Sequence, residues 1–135
     1  MFVLDCSVTM AWAFDDEDAP RAAGMRDRLD QDIAVVPAIW ALEVGNALLM
    51  AERRKRISRA ESLRFVELLR ALPIDVDATP ALGGLDSLLS LARQAGVSVY
   101  DAGYLDLAAS HGLPLATLDK ALERAARHIG VALLE

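Results

Sequence analysis

Few of the residues from which common catalytic sites are built occur here: one cysteine, two histidines and seven aromatic residues among 135. Cys6 alone cannot close an intramolecular disulfide, and His111 and His128 offer no Cys/His spacing for zinc. Cys-His and Ser-His-Asp catalysis are disfavoured on the same ground. Neither a Gly-x-Gly-x-x-Gly loop nor a P-loop is present, and Gly83-Gly84 falls inside a helical pattern, so dinucleotide and ATP binding by the usual routes are disfavoured. The longest uncharged stretches, such as Leu107 to Leu118 and Ile33 to Leu42, fall short of the ~20 residues of a membrane span. Met1-Phe2-Val3-Leu4-Asp5 lacks the basic start of a signal peptide and runs directly into a strand-like segment, so the expected location is the cytoplasm.

What the chain does have is apolar mass. Apolar residues make up 54% and charged residues 25%, with a net charge of −6, which excludes a disordered chain and predicts one packed domain over residues 1–135. Charge is unevenly distributed. Arg53, Arg54, Lys55, Arg56, Arg59, Arg64 and Arg70 are half of the 14 basic residues and stand against only Glu61 and Glu67, giving a +5 segment in an acidic protein. Such a run reads either as a solvated helix end answering the helix dipole or as a ridge that contacts phosphates.

Short β-branched runs alternate with longer helical patterns. Strands are predicted at 2–5, 33–36, 73–76, 114–117 and 131–134, and helices at 7–14, 18–30, 37–53, 58–71, 79–95, 99–111 and 119–128. Pro20, Pro37 and Pro80 sit near helix starts, while Gly96, Gly112 and Gly130 follow helix ends. Strands joined by helical crossovers imply a parallel sheet of about five strands covered on both faces, a three-layer α/β/α sandwich. In such sheets ligands bind beyond the strand carboxyl ends, where strand order reverses. Asp5 closes the first predicted strand, and Asp119 follows the fourth.

Helix 37–51 is apolar nearly all round and is expected to be buried, with Glu43 and Asn46 as its only strongly polar side chains, about 60° apart on one face. A buried carboxylate needs a partner, because an unpaired charge in an apolar site is too costly to stay ionised. Asp5 and Asp119 also suit helix N-caps, and Ser98-Val99-Tyr100-Asp101 resembles a capping box. Taken together, the four acids are consistent with one pocket that lacks a cationic neighbour in sequence. Carboxylates so gathered stay ionised only around a hard cation, and oxygen donors without His or Cys select Mg²⁺ or Mn²⁺. Asp15-Asp16-Glu17-Asp18 reads as a solvated helix end, turn and helix start; Asp106 lies 140° round the helix from Asp101, outside the pocket; Cys6 reads as a small buried residue and not a nucleophile.

The segments Val3-Leu4-Asp5-Cys6-Ser7, Ala41-Leu42-Glu43-Val44-Gly45-Asn46-Ala47, Tyr100-Asp101-Ala102-Gly103-Tyr104-Leu105 and Ala116-Thr117-Leu118-Asp119, in this order, resemble the motifs of the PIN-domain family. The likeness is strongest to its VapC-like ribonuclease toxins of bacterial toxin–antitoxin pairs and covers essentially the whole chain. The resemblance implies a PIN-like fold and metal-dependent cleavage of RNA, with Asp5, Glu43, Asp101 and Asp119 as the catalytic and metal-binding acids. It also implies that Ser7, Asn46 and Thr117 orient those acids or a metal-bound water. Many relatives carry a further acid two positions after the last motif aspartate; here that position is Ala121, which puts a second tightly held metal in doubt.

The expected function is therefore a Mg²⁺- or Mn²⁺-dependent endoribonuclease, with Arg53, Arg54, Lys55 and Arg56 contacting the RNA backbone. The resemblance implies a cognate antitoxin, whose arginine would enter the acidic pocket while apolar surface near Trp12 and Phe14 supplies affinity. A homodimer is also expected, since Trp12, Phe14 and Trp40 suit an interface as readily as a core. Two alternatives stay open. One is an α/β phosphatase using Asp5, which usually needs a second acid where Ser7 stands; the other is a non-catalytic module whose pocket receives a partner's arginine.

Overall fold

The computed structural model describes residues 1–78 and 82–135. Its sheet consists of β1 (Phe2–Leu4), β2 (Ala34–Pro37), β3 (Ile74–Asp77) and β4 (Leu115–Ala116), all parallel, in the order β3-β2-β1-β4. Helices α1 (Cys6–Ala11), α2 (Ala19–Asp27), α3 (Ile39–Arg53), α4 (Arg59–Ala71), α5 (Leu85–Ala95), α6 (Val99–His111) and α7 (Lys120–Ile129) alternate with the strands. Every residue of β1, β2 and β4 is buried. Successive strand side chains point to opposite faces, so helices cover the sheet on both sides, as the near-continuous apolar runs predict. β3 is one of the two edge strands, where Asp75 and Asp77 blunt an otherwise open ladder.

The expected fifth strand, 131–134, does not form. Leu133 makes a single parallel bridge to Leu115, supported by Leu115 N–H to the Ala132 carbonyl and Leu134 N–H to the Leu115 carbonyl, both 2.8 Å. β4 itself spans only two residues, because Thr117 turns away to bond Asp5, and so short a strand offers no longer ladder. Gly112 (φ 63°) and Gly130 (φ 82°) end α6 and α7 in the left-handed conformation that lets the chain double back toward this edge. The first predicted helix stops at Ala11, three residues early, and the second tightens into a 3₁₀ turn at Arg28–Asp30. The start of the predicted helix at 79, with Pro80, lies outside the described residues. A 3₁₀ turn over Leu82–Gly84 then leads into α5, so Gly83 and Gly84 precede the helix.

Two expectations about apolar surface need correction. α3 is not buried all round: Trp40, Val44, Leu48 and Ala51 face the core, whereas Leu42 is 71% exposed and Leu49 42%. Composition alone could not show which side the sheet would cover. Trp40 belongs to the core and not to a surface, and its indole N–H donates to Thr9 Oγ1 at 3.0 Å. Trp12 is half-buried and tied to α2 through a 2.8 Å bond to the Ala22 carbonyl. Among the described residues no helix is long and apolar enough to cross a membrane.

Candidate active site

In the order β3-β2-β1-β4 the chain first grows outward from β1 through β2 to β3, then returns to the other side of β1 as β4. The switch point therefore lies between the carboxyl ends of β1 and β4, where a parallel sheet leaves a crevice. Asp5 stands there, with its N–H donating to the Ala116 carbonyl (3.0 Å). Its carboxylate does not cap α1, although the residue holds the N-cap position. Instead Oδ2 accepts from Ser7 Oγ at 2.6 Å and Thr117 Oγ1 at 2.8 Å. Both hydroxyls are themselves fixed: Ser7 Oγ accepts from Leu118 N–H (2.9 Å), and Thr117 Oγ1 from Asp119 N–H (3.1 Å). One oxygen of Asp5 is thus locked from two sides by hydroxyls, and the backbone N–H groups of Cys6 and Ser7 add to the hydrogen bonding of the carboxylate.

Glu43 projects from α3 and is half-buried; its Oε1 accepts from the hydroxyl of fully buried Tyr104 at 2.7 Å. Asp101 occupies the first turn of α6, where its backbone N–H donates to Ser98 Oγ at 3.1 Å. This is one half of the expected capping box, and hydrogen bonding with the Ser98 side chain also lowers the Asp101 carboxyl, against the effect of burial. Asp119 is exposed and caps α7, with Oδ1 accepting from Ala121 N–H (2.9 Å) and Leu122 N–H (3.3 Å). Its second oxygen has no such duty.

Burial raises the carboxyls of Asp5, Glu43 and Asp101 above the ordinary carboxylate range. Hydrogen bonds from Ser7 and Thr117 work against this at Asp5, as does the Tyr104 hydroxyl at Glu43. Mutual repulsion adds to it: Asp5 and Asp101 act on Glu43, and Asp5 and Asp119 on Asp101. Among the described residues none of the four acids is in a salt bridge. Nor do three Asp, Glu, His or Cys side chains there form a ready-made ion cage. The donor set still fits a hard divalent cation, since it is all oxygen, mutually repelling and without an internal counter-charge.

With this geometry stands a match of the PIN domain family to residues 2–128. The chain belongs to the PIN domain family. PAE2754 from Pyrobaculum aerophilum is a similar solved structure, 27% identical, with 92% of this chain and 84% of that chain covered and a TM-score of 0.68. FitAcB from Neisseria gonorrhoeae is 19% identical, with 100% and 97% covered and a TM-score of 0.67, a likeness of fold alone. No curated protein matches the chain. PIN domains are, as a family, metal-dependent nucleases.

Other residues singled out in the sequence of this PIN domain fall in different places. Asn46 is exposed and, among the described residues, bonds to none of the four acids. Arg53, Arg54, Lys55 and Arg56 are all exposed at the end of α3. Lys55 takes a left-handed φ of 59°, with its N–H bonded to Glu52 O and that of Arg56 to Ala51 O, both 2.9 Å. This is a Schellman stop built without glycine. It brings the Arg56 guanidinium over the Phe14 ring, 4.3 Å from the centroid. Asp15 to Asp18 are exposed in the α1–α2 connection, and Asp106 bonds Ser110 Oγ at 3.5 Å, taking no part in the acid cluster. The Cys6 thiol is pushed up to about 12 by burial and by the charges of Glu43 and Asp5, which makes it inert as a nucleophile.

Tyr104 is the functional residue that sequence reading missed. It lies three positions after Asp101, one turn along the same helix face, and that spacing was the available signal.

Proposed function

We propose that this PIN domain is a Mg²⁺- or Mn²⁺-dependent endoribonuclease acting as the toxin of a toxin–antitoxin pair. The observation that carries this reading is the set of mutually repelling carboxylates at the end of β1, on α3 and on α6, in no salt bridge among the described residues, at the sheet's switch point. Asp5, Asp101, Glu43 and Asp119 would hold the ion. A divalent cation bound there would acidify a water and offset charge on the scissile phosphate. Ser7 and Thr117 hold one oxygen of Asp5, so the carboxylate is presented without reorganisation. Glu43, raised by burial and held by Tyr104, is suited to accept a proton from the attacking water. The products would carry a 5′-phosphate and a 3′-hydroxyl.

Arg53, Arg54, Lys55 and Arg56 would contact the RNA backbone without reading sequence. The reading includes a homodimer, one domain over the whole chain, action in the cytoplasm, and a cognate antitoxin. Because the acids await a cation, an arginine of that antitoxin can enter and bond two carboxylates. A second reading follows from the open spacing of the acids, which form no ready-made cage. On that reading the pocket receives a partner's arginine and cleaves nothing.

Incubating the protein with total RNA, with and without Mn²⁺, and mapping the ends separates the two. Metal-dependent cuts that vanish in Asp5→Asn, Glu43→Gln and Asp101→Asn are expected. Undiminished cutting in excess EDTA, or by these variants, refutes the assignment, and no cutting by the native chain leaves the arginine receptor.

A further inference from the structure

Next to the acids lies a cleft of about 410 Å³ whose lining includes Ser7, Phe14, Asp16, Asp18, Arg54 and Arg56. Ser7 joins the two sites, since the hydroxyl that lines this cleft also holds Asp5. A nucleotide flanking a phosphate at the acids would therefore be led into it. The volume lies within the range of small-molecule pockets and suits a single nucleoside.

Two chemical features distinguish this cleft from an ordinary surface groove. First, Arg56 stacks on Phe14 at 4.3 Å, and the pair forms a flat π-and-guanidinium platform of the kind on which unpaired bases stack. Second, cations and carboxylates share one cleft without neutralising each other: among the described residues, Asp16, Asp18, Arg54 and Arg56 form no salt bridge. A ligand complementary to both must present acceptors to the guanidinium and donors to the carboxylates. Guanine does so on adjacent edges, with O6 and N7 accepting and N1–H and the N2 amino group donating. Uracil has one ring donor between two carbonyls, and adenine and cytosine each lack the paired donor edge.

We propose that this cleft is a base-reading subsite that holds a guanine of single-stranded RNA beside the scissile bond, an inference that rests on the ribonuclease reading above. Phe14 and Arg56 supply stacking, Arg54 adds the acceptor-edge contact to its place in the basic run, and Asp16 and Asp18 make the donor-edge contact, while Arg53 and Lys55, outside the cleft lining, serve the backbone alone. Asp16 Oδ1 already accepts from Asp18 N–H at 3.1 Å, so that short turn is ordered before a base arrives. Met10 and Met50, also in the lining, give the walls adaptable apolar surface.

The test is fluorescence anisotropy with labelled single-stranded RNA pentamers that differ only in the central base, in EDTA so that nothing is cut. The guanine pentamer should bind between about five- and about 150-fold tighter than the uracil pentamer, the range of one bidentate base contact. The double variant Asp16→Asn with Asp18→Asn should lose that preference while binding the uracil pentamer at least as tightly as the native chain does, since two charges that repel phosphate are removed. Both residues are exposed and Asn keeps the Oδ1 acceptor, so folding is not at stake. Phe14→Ala should weaken all four pentamers. Binding without base preference, or a guanine preference that survives in the double variant, overturns the subsite alone. Failure to bind any pentamer overturns the subsite, and the RNA reading falls with it if the total-RNA cleavage assay with Mn²⁺ is also negative.

Discussion

Tyr104→Phe is the sharpest single test of the site's electrostatics, because it removes one hydroxyl and little else. Tyr104 is 0% exposed and spends that hydroxyl on Glu43 Oε1 at 2.7 Å. Hydrogen bonds to charged groups contribute about 1.5–3 kcal/mol, but Glu43 is only half-buried and water can partly replace the donor, so about 1–2 kcal/mol is expected. For a domain of this size that is a fall in Tm of roughly 3–10 °C. The sign with pH follows from the charge form the bond favours. The hydroxyl favours the carboxylate and so lowers a Glu43 pKa that burial and Asp5 raise; without it that pKa rises further. The lost stability is therefore full above the variant's higher Glu43 pKa, shrinks as pH falls from there to the native one, and is gone below it, where both proteins carry the neutral acid. Thermal melts of the metal-free native chain and variant at about pH 7 and about pH 4 check this, the lower value lying near the ordinary Glu pKa. The acid limb of any cleavage profile should shift upward in the variant. An equal Tm loss at both pH values, with an unmoved acid limb, would mean that Tyr104 serves packing alone.

Three further outcomes follow from the same geometry. The raised carboxyls of Asp5, Glu43 and Asp101 cost metal-free stability as pH climbs through their native pKa values. Asp101→Asn should therefore raise the metal-free Tm near neutral pH and forfeit the gain from Mn²⁺, about 2.7 kcal/mol at a hundredfold excess over Kd; an equal Mn²⁺ shift in both proteins places the metal elsewhere. Reversing the charges of Arg53, Arg54, Lys55 and Arg56 should flatten the salt dependence of RNA binding by about 0.7 in log–log slope per lost contact, with Mn²⁺ affinity unchanged; an unaltered slope returns the segment to a solvated helix end. If an antitoxin arginine occupies the acids, Mn²⁺ should dissociate the complex and Asp101→Asn should weaken it; an affinity indifferent to both shows inhibition away from the pocket.

Periodicity and cap chemistry carried most of the fold. Ser58 and Glu61 form a full capping box at the start of α4, and both glycines that close α6 and α7 take the left-handed conformation. Local pattern could not reveal how much ladder each strand would find. Residues 131–134 are as strand-like as 2–5, yet β1 has partners on both sides and 131–134 has only a two-residue neighbour. Nor could it orient α3, whose uniformly apolar surface gives no stripe to aim at the core. Spacing placed Asn46 on the same helix face as Glu43, and the family resemblance implied its orienting role; in the fold that face leaves Asn46 exposed.

The site shows the complementary limit. Asp5, Asp101 and Asp119 each had a sufficient structural reason to exist as a helix cap, and sequence offered no way to see which would be excused from that duty. In the fold Asp119 caps fully with one oxygen, while Asp101 leaves capping to the Ser98 hydroxyl and Asp5 caps nothing. Asp5 is 5% exposed, and a carboxylate so placed would normally be neutralised by a cation or spread over several N–H donors. Among the described residues its hydrogen-bond partners are the Ser7 and Thr117 hydroxyls, both on the same oxygen, and the backbone N–H groups of Cys6 and Ser7, and none of these carries charge. Ser7 and Thr117 therefore fix its direction without quenching it. The same division holds at Glu43, where Tyr104 orients one oxygen and contributes no charge. The neutral donors preserve a net negative deficit that only an incoming cation can cancel. On the proposed reading a metal ion and an antitoxin arginine would compete for this one site, and a substitution such as Ser7→Lys, which would supply a positive charge from within, should abolish the response to both.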